Sequence, residues 1–440
     1  MPINHDSNYP RPGAIKALDG ISIDVGLAAH TVTKALDYVG IEDHSHGRRI
    51  GLMCHRIAHL LNWDQKRRHF VLIAGMLHDC GVSSTETHKK LIEELEWSEA
   101  DDHCIRGEFF LESFSPFKDF AETIRFHHTR WTDLPESLDH DIKEYTNLIF
   151  LADRLDVVYV QFREGNPAYK TLLHRSDIVQ QLSPYKGTLF SESLFAALEK
   201  VSQRDSFWLE LQDDYLDEVI FETLSSLDYT IRLGFDEIEA LGELISQIVD
   251  IKSPFTHYHS LRVADLTYTL SGLMGYDHYD RCILRLAGLL HDVGKLRTPD
   301  EILEKPCALT ADELAQMRCH PLDSKNVLQA LFPNIPIWKW ASEHHEKLNG
   351  SGYPFGWSGN QIDEPTRILT ICDIFQALCQ KRPYRDRLSA DEVIRIMDDM
   401  EAHGEIDSTI YHLLKVNRAE LYQIAIREGE YYPIVDDRKD

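Results

Sequence analysis

The stretch Leu-Leu-His-Asp-Val-Gly-Lys, at positions 289–295, ends an apolar run with a histidine and an aspartate side by side. An imidazole can bind one divalent ion while the adjacent carboxylate bridges to a second, which is the arrangement that a two-metal hydrolase needs. The residues His344-His345-Glu346 and the stretch Gly-Ser-Gly-Tyr-Pro at positions 350–354 follow it. A single His-Asp pair indicates little, so its meaning depends on further ligand residues at defined intervals.

Such residues occur twice along the chain. The candidate ligands of the second half are His259, His291, Asp292, His320, His344, His345 and Asp373, and those of the first half are His46, His78, Asp79, His103, His127, His128 and Asp153. The interval from His46 to His78 is 32 positions, as is that from His259 to His291. The interval from His103 to His127 is 24 positions, as is that from His320 to His344. Residues 75–81 also repeat the pattern of residues 288–294. These matches predict the duplication of one metal-binding domain.

The length and composition are those of a globular protein. The chain has 440 residues, 43% hydrophobic and 27% charged, which suffices for two domains with their own cores. No apolar run approaches the roughly 20 residues of a membrane helix, and the polar N-terminus has no signal-peptide core. Eight cysteines without a Cys-x-x-Cys pair predict reduced thiols in a cytoplasmic protein. The net charge of -26 argues against binding to long nucleic acids.

Helical periodicity dominates the sequence. Apolar residues recur at helix spacing over residues 49–61, 70–77, 142–160, 191–201, 216–233, 238–251, 261–273, 283–290 and 368–378. No alternating runs bounded by hairpin signals indicate strands. The sequence therefore predicts an all-α fold.

The number and type of ligand residues favour two metal ions in each site. Six or seven ligands are too many for one tetrahedral structural zinc. Histidine and aspartate without thiolate suit iron, manganese or another first-row metal. A water between two such ions would attack a phosphate in line while the metals offset the developing charge. Hydrolysis of a phosphodiester is the reaction that these residues favour.

The second half resembles the HD-GYP family, a branch of the HD phosphohydrolases that hydrolyses cyclic dinucleotides. The resemblance rests on His-Asp-Val-Gly-Lys at positions 291–295, His-His-Glu at 344–346 and the stretch 350–354, and it extends over roughly residues 250–414. The first half resembles a plain HD domain over roughly residues 42–163, without the Gly-Tyr-Pro loop. We therefore predict tandem HD-type helical domains, an N-terminal one with a helical connector at 1–225 and an HD-GYP domain at 226–440.

The resemblance implies a role for each candidate in the second half. One ion would be held by His259, His291, Asp292 and Asp373, and the other by Asp292, His320, His344 and His345. Lys295 would act with the bridging Asp292 in catalysis by contacting a phosphate oxygen as a compact charge. Substrate would also meet the loop Gly352, Tyr353 and Pro354, and Arg382 and Arg385 match positions that contact phosphate and base.

Two departures from the family pattern bear on metals and substrate. Family members with three metals have a glutamate four residues before the first histidine, where this chain has Phe255, so a two-metal site is expected. Three residues after Asp373 the family usually has an aspartate facing guanine, and this chain has Gln376. An amide both donates and accepts and can also serve an adenine edge. Our hypothesis is that Gln376 broadens the substrate from cyclic di-GMP toward 3′,3′-cyclic GMP-AMP.

The N-terminal domain keeps every ligand and also has Glu42 four residues before His46, as in the three-metal pattern. It has Val82 in the place of Lys295, and Asp156 in the place of guanine recognition. We expect it to bind metal and not to catalyse the same reaction. Sensing of a ligand, control of the second domain, a dimer interface and a purely structural repeat all remain open.

The sequence thus predicts a bacterial signalling enzyme that cleaves a 3′–5′ bond of a cyclic dinucleotide with two divalent ions, iron or manganese. One alternative is a phosphohydrolase of acyclic nucleotides, which the Gly-Tyr-Pro loop disfavours. Another is a weakly catalytic receptor for the cyclic dinucleotide that signals through a partner. No membrane association is expected. A signalling protein that binds the loop, a homodimer, the preferred dinucleotide, the metal's redox dependence and the input signal are left open.

Overall fold

The computed structural model describes residues 22–39, 45–82, 101–226, 232–252, 258–381 and 386–427. Most of this part of the chain is helical. The helices of the first half are α1 (Val25–Leu36), α2 (His46–Leu60), α3 (Gln65–Leu77), α4 (Asp101–Ser113), α5 (Ala121–Arg125), α6 (His140–Arg163), α7 (Lys170–Gln180), α8 (Glu192–Val201), α9 (Asp205–Leu209) and α10 (Asp213–Ser225). Those of the second half are α11 (Phe235–Lys252), α12 (His259–Leu273), α13 (His278–Leu290), α14 (Asp300–Leu303), α15 (Ala311–Met317), α16 (His320–Leu331), α17 (Ile337–Glu343), α18 (Glu364–Cys379), α19 (Ala390–Ala402), α20 (Ser408–Val416) and α21 (Arg418–Ile426).

Short 3₁₀ turns and one pair of strands complete the described architecture. The 3₁₀ turns are Asp37–Val39, Ser115–Phe120, Trp131–Asp133, Ser183–Tyr185, Val293–Arg297 and Gly359–Gln361. The strand β1 (Ile23–Asp24) pairs antiparallel with β2 (Arg232–Leu233). The predicted all-α class is confirmed, because these four residues form the one sheet found in the described ranges. Among those residues, no helix is long and apolar enough to cross a bilayer.

The predicted helix over residues 216–233 is wrong at its C-terminal end. Helix α10 ends at Ser225, and the backbone N–H of Ser226 donates to the carbonyl of Glu222 at 3.0 Å. Residues 232–233 are extended and pair with β1, with Leu233 opposite Ile23. The side chains of Ile23 and Leu233 are buried and join the core. Pairing between two distant segments thus overrides the local helical periodicity.

The repeat is visible as two helix pairs that pack at very short distance, α2 with α3 and α12 with α13. A Cβ atom added to Gly75 would lie 2.9 Å from the Cα of Gly51, and one added to Gly288 would lie 2.7 Å from the Cα of Ala264. Such distances leave no room for a side chain at either glycine. The close approach places the first histidine of each repeat, at the start of one helix, beside the His-Asp pair at the end of the other.

Helices α7 to α10 lie with the first domain. Trp208 of α9 is buried and contacts Tyr159 of α6, with 5.7 Å between the ring centroids. The buried amide of Asn147 donates to the carbonyl of Leu189 at 2.7 Å and accepts from the N–H of Ser191 at 2.8 Å. These contacts pack the predicted helical connector on the first domain, while the boundary between residues 225 and 226 stays a prediction.

The two domains meet beside the segment that carries Lys295. Tyr38, in the 3₁₀ turn that follows α1, accepts a hydrogen bond from the side-chain amide of Asn326 on α16 at 2.6 Å. Lys34 donates to the same amide's oxygen at 3.2 Å. The guanidinium of Arg297 lies over the Tyr38 ring, 5.8 Å from its centroid. The end of α1 and the turn Asp37–Val39 in the first domain therefore contact α16 and the turn Val293–Arg297 in the second.

Candidate metal centres

The C-terminal ligand cluster is formed at the ends of helices. His259 is the first residue of α12, His291 follows the last residue of α13, His320 is the first residue of α16, and His344 and His345 follow α17. Asp373 lies within α18. Asp292 stands between α13 and the turn Val293–Arg297. All these side chains except His345, which is half-buried, are buried. The structure thus brings all seven predicted ligands of the second half together.

The carboxylate of Asp292 lies at the centre of this cluster. Its Oδ2 atom is 3.5 Å from Nε2 of His259 and 3.2 Å from Nε2 of His291. Its Oδ1 atom is 3.5 Å from Nε2 of His320 and 3.6 Å from Nε2 of His344. Each oxygen therefore faces a different pair of imidazoles, as a carboxylate that bridges two ions would.

Two further ligands extend the two groups. The Oδ1 atom of Asp373 is 3.3 Å from Nε2 of His259 and 3.9 Å from Nε2 of His291. Nitrogen atoms of His345, His320 and His344 all lie within 4.8 Å of one another. Although burial lowers it, hydrogen bonds to Asp292 and Asp373 raise the pKa of His259 to about 9. A metal ion bound by His259 would therefore displace a proton.

The orientation of the imidazoles fits metal ions in this space. The Nδ1 atoms of His291, His320 and His344 lie 2.8, 2.7 and 2.6 Å from backbone carbonyls, to which they donate. Their buried Nε2 atoms, by contrast, have no hydrogen-bond partner. A buried nitrogen without a partner is costly in a folded protein. Because Nδ1 carries the proton, the Nε2 lone pairs are free to ligate metal.

The electrostatics around Asp292, His320 and His344 favour the protonation states that metal binding needs. Burial would raise the pKa of Asp292, but His291 and Lys295 hold it well below its ordinary range. Burial lowers the pKa of His320 to about 3, with a contribution from Lys295. Burial also lowers the pKa of His344 to about 4, with a contribution from His291. The carboxylate is charged and these two imidazoles are neutral at neutral pH.

The Gly-Tyr-Pro loop lies directly against the cluster. The ring of Tyr353 stacks on His345, with 4.7 Å between centroids and 28° between planes. A Cβ on Gly352 would lie 2.5 Å from the Cα of Glu346, so only glycine fits there. The buried Glu346 carboxylate accepts hydrogen bonds from the backbone of Phe355 at 2.7 Å and from that of Trp357 at 2.9 Å. This anchoring role of Glu346 was not predicted, although the residue belongs to the His-His-Glu motif.

Gln376, which the sequence hypothesis places against a substrate base, lies beside the candidate ligand His259. Its side chain is buried, and its Oε1 atom lies 2.5 Å from Nδ1 of His259. Its amide nitrogen faces the carbonyl of Ala425 at 3.5 Å. In this structure the amide is engaged behind a candidate ligand, where it orients the His259 ring. The contact of Gln376 with a substrate base stays a prediction.

Replacement of Gln376 by alanine should weaken metal binding and leave base selectivity unchanged. Loss of an outer hydrogen bond to a ligating histidine typically costs about 10–100-fold in metal affinity. Metal affinity measured against a competing chelator should fall by this factor, whereas the exposed Gln329→Ala control should bind normally. If Gln376→Ala instead changed the ratio of rates for 3′,3′-cyclic GMP-AMP and cyclic di-GMP, the hypothesis that Gln376 contacts a substrate base would be confirmed.

The N-terminal cluster repeats the geometry around Asp79. The Oδ2 atom of Asp79 is 3.7 Å from Nε2 of His46 and 3.3 Å from Nε2 of His78. Its Oδ1 atom is 3.4 Å from Nε2 of His103 and 3.8 Å from Nε2 of His127. Asp153 lies 3.5 Å from His46 and 3.8 Å from His128. The predicted ligands of the first half come together as well, with the exception of Glu42, which lies outside the described residues.

Buried arginines distinguish the N-terminal cluster, and the sequence analysis missed them. Arg154 donates to the Oδ2 atom of Asp153 at 2.7 Å. Arg49 binds both oxygens of Asp156, at 2.6 and 2.7 Å, and Asp156 in turn lies 2.8 Å from Nδ1 of His46. Asp156 thus holds a histidine in place. The one sequence signal is the position of Asp156 on α6, three residues after Asp153 and so on nearly the same helix face.

Two predicted substrate residues, Arg382 and Arg385, lie outside the described part of the chain, as does Phe255. Lys295 is at the C-terminal cluster, where its Nζ atom lies 2.5 Å from Oδ2 of Asp292. Val82 lines a small pocket beside His46 and Asp79 in the N-terminal cluster. The N-terminal cluster therefore has an apolar side chain where the C-terminal one has an ammonium group.

Comparison with known proteins agrees with this duplicated architecture. Models of the HD domain match residues 44–158 and residues 243–410. A 3′3′-cGAMP-specific phosphodiesterase of Vibrio cholerae is 34% identical over 93% of this chain and 95% of its own length. A cyclic di-GMP phosphodiesterase of Pseudomonas aeruginosa is 35% identical over 50% of this chain and 54% of its own length.

A solved structure shares the fold. It is a cyclic GMP-AMP-specific phosphodiesterase of Vibrio cholerae, which superposes with a TM-score of 0.64 and 23% identity over 91% of this chain and 99% of that chain. The fold and the two clusters define a tandem HD-domain protein. With its His-Asp pair, its His-His-Glu motif and its Gly-Tyr-Pro loop, the chain belongs to the HD-GYP family.

Proposed function

We propose that the C-terminal domain hydrolyses a 3′–5′ phosphodiester bond of a cyclic dinucleotide in a metal-dependent reaction. The observation that carries this proposal is the carboxylate of Asp292, whose two oxygens face two separate pairs of histidines. Similarity over nearly the whole chain to a 3′3′-cGAMP-specific enzyme supports 3′,3′-cyclic GMP-AMP as the preferred substrate. Cyclic di-GMP, the substrate named for other relatives, is the second candidate.

The residues of the cluster divide between two divalent ions. His259, His291 and Asp373 would hold one ion, His320, His344 and His345 the other, and Asp292 would bridge them. The ions would supply Lewis-acid stabilisation of the phosphate and a water activated for attack. Iron and manganese are the metals proposed, because the ligands are imidazoles and carboxylates without thiolate.

Lys295 supplies the positive charge that the substrate needs beside the ligands. Its ammonium group contacts Asp292 and its side chain is about one-fifth exposed, so it can also reach a phosphate oxygen at the edge of the site. Three rotatable N–H donors allow it to follow the oxygen as the geometry of the phosphorus changes. In a chain with a net charge of -26, this local cation offsets the general repulsion of a dianionic substrate.

The N-terminal cluster is proposed to bind metal without hydrolysing the same substrate. It retains a bridging carboxylate, Asp79, but has Val82 in the place of the ammonium group of Lys295. Arg154 occupies one oxygen of Asp153, which is thereby less available to a metal. The contact of Tyr38 with Asn326 gives this domain a direct route to influence the second one.

The cellular setting follows from the proposed substrate. A cyclic dinucleotide is an intracellular signal, and all eight cysteines are free thiols, which supports a cytoplasmic location. A signalling protein that binds the Gly-Tyr-Pro loop and a homodimer stay predictions.

Purified protein loaded with iron or manganese should hydrolyse 3′,3′-cyclic GMP-AMP with a higher kcat/KM than cyclic di-GMP. The two substrates are mixed at equal concentration and their disappearance is followed by chromatography, so that the ratio of rates gives the ratio of kcat/KM directly. We expect a preference of about tenfold, which corresponds to roughly 1.4 kcal/mol of differential transition-state binding. A preference for cyclic di-GMP would contradict the substrate assignment and leave the reaction class intact.

A further inference from the structure

The rim of the C-terminal cluster carries an arginine that neither the motifs nor the ligand sets include. Arg318 is the residue that follows α15, two positions before the ligand His320. Its guanidinium lies over the ring of Tyr353, 4.9 Å from the centroid. Tyr353 in turn stacks on His345. The three planar groups connect the ligand cluster to the protein surface, because Arg318 is exposed and Tyr353 half-buried.

Arg318 differs in its contacts from Lys295 and Arg297, two other described cations around the site. Lys295 is paired with Asp292, and Arg297 is paired with Asp323 at 2.9 Å. Within the described ranges, no carboxylate lies at ion-pair distance from Arg318. The carboxylates of Asp292 and Asp373 are near enough to Tyr353 to act on it electrostatically. The guanidinium is therefore close to the cluster and forms an ion pair with none of the described carboxylates.

The contact with Tyr353 holds the guanidinium at the rim of the cluster. Its central carbon lies 4.9 Å from the ring centroid, within the range of a cation–π pair. Its N–H donors lie in its plane and are left to bind an anion at the rim. A planar fork of donors matches two oxygens of a phosphate. Arg318, held against Tyr353, therefore has the chemistry of a phosphate-binding group.

The N-terminal domain offers a natural comparison, because it keeps the ligands and lacks this group. His103 corresponds to His320. The residue two positions before His103, which corresponds to Arg318, is Asp101. Asp101 is exposed and lies 4.0 Å from Arg125. The two repeats therefore share the metal ligands but have opposite charges at the rim.

We propose that Arg318, held on the ring of Tyr353, binds the non-scissile phosphate of the cyclic dinucleotide. This inference rests on the proposed function. A cyclic dinucleotide has two phosphodiester groups, of which the ligand cluster and Lys295 engage only the one that is cleaved. The second phosphate remains charged and needs a cation at the edge of the site. Arg318 supplies it, so this residue selects substrates with two phosphates over those with one.

The test compares a substrate with two phosphodiesters and one with a single phosphodiester. For Arg318→Gln, kcat/KM for 3′,3′-cyclic GMP-AMP should fall about 10–100-fold, mainly through KM, because a charge-assisted bidentate contact is lost. For bis(4-nitrophenyl) phosphate it should change less than about twofold. Arg318→Lys should lie between these cases, because it keeps the charge and loses the fork. Metal content, measured by mass spectrometry, should remain that of the wild type.

A matched control is Arg281→Gln, which removes another arginine from a tyrosine ring in the same domain. Arg281 lies 3.8 Å from the centroid of Tyr268, near the start of α13 and about 15 Å along that helix from His291. It should leave both substrates unaffected. Equal losses on both substrates, a fall in metal content or no change at all for Arg318→Gln would overturn the inference alone. Wild-type protein that hydrolyses bis(4-nitrophenyl) phosphate but no cyclic dinucleotide would overturn the proposed function and the inference together.

Discussion

Replacement of Asp292 by asparagine should lower hydrolysis of the cyclic dinucleotide about a thousandfold or more. The substitution keeps the shape of the side chain and removes the charge that faces four imidazoles. Loss of a shared ligand withdraws several kcal/mol of transition-state stabilisation, and about 1.4 kcal/mol corresponds to a factor of ten in rate. The rate and the metal content of the same preparation should fall together, since Asp292 faces both groups of ligands.

The duplicated chain provides the matched control, Asp79→Asn. Asp79 has the same position in the N-terminal cluster and similar distances to its histidines. This variant should lose metal from the first domain and keep most of the activity, with at most a modest change transmitted through the contact of Tyr38 with Asn326. A loss of activity in Asp79→Asn equal to that in Asp292→Asn would mean that the catalytic assignment to the second domain is wrong.

Replacement of Gly294 by alanine should damage both stability and activity. A Cβ at this position would lie 2.1 Å from the carbonyl oxygen of His320 and 2.6 Å from the backbone nitrogen of Ser324. The neighbouring atoms are backbone atoms of α16, which cannot move away as a flexible side chain can. The turn and the helix must therefore separate. The hydroxyl of Ser324, which now bonds both to the N–H of Gly294 and to the carbonyl of His291, would lose this geometry.

The expected cost to stability is about 1–3 kcal/mol, the usual range for overpacking of a close contact. Activity should fall about a hundredfold, because separation of the turn from α16 moves His320 relative to Asp292 by a distance that catalysis does not tolerate. Thermal unfolding and turnover are measured on the same samples. Gly234→Ala is the control, since the nearest atom to its Cβ would be 3.7 Å away, in a side chain. A Gly294→Ala protein with normal activity and stability would show that the turn adapts and does not fix the site.

The ligand clusters were predictable because their residues follow from spacing along the chain. Equal intervals between histidines in two repeats require equal helix lengths and packing, and the short contacts at Gly75 and Gly288 show how the packing is kept. The all-α fold followed in the same way from the apolar periodicity. The periodicity of apolar residues did not predict where α10 ends. Residues 232–233 are extended because they pair with β1, a contact between Ile23 and Leu233 that spans more than 200 residues of the chain.

The residues that hold the candidate metal ligands in place could not be predicted from residue type and sequence position alone. Arg49 and Arg262 occupy equivalent places in the two repeats. Arg49 binds the carboxylate of Asp156, whereas Arg262 turns to Asp265 at 3.1 Å and to a backbone carbonyl. The difference follows from the residue that contacts the first histidine of each repeat. Asp156 is charged and binds Arg49, whereas its counterpart Gln376 carries no charge to attract Arg262. A base-reading role was assigned to Gln376 from family position, and only the distance to His259 shows that the amide is engaged behind the ligand.

The measurement that tests the central claim most directly is identification of the product formed from 3′,3′-cyclic GMP-AMP by the metal-loaded wild-type protein. The account predicts a linear dinucleotide, seen by chromatography and mass spectrometry, whose formation is lost when the metal is removed by a chelator and restored when it is added back. Intact cyclic dinucleotide recovered from a stable complex with the metal-loaded protein would contradict the account, and the protein would then be a receptor.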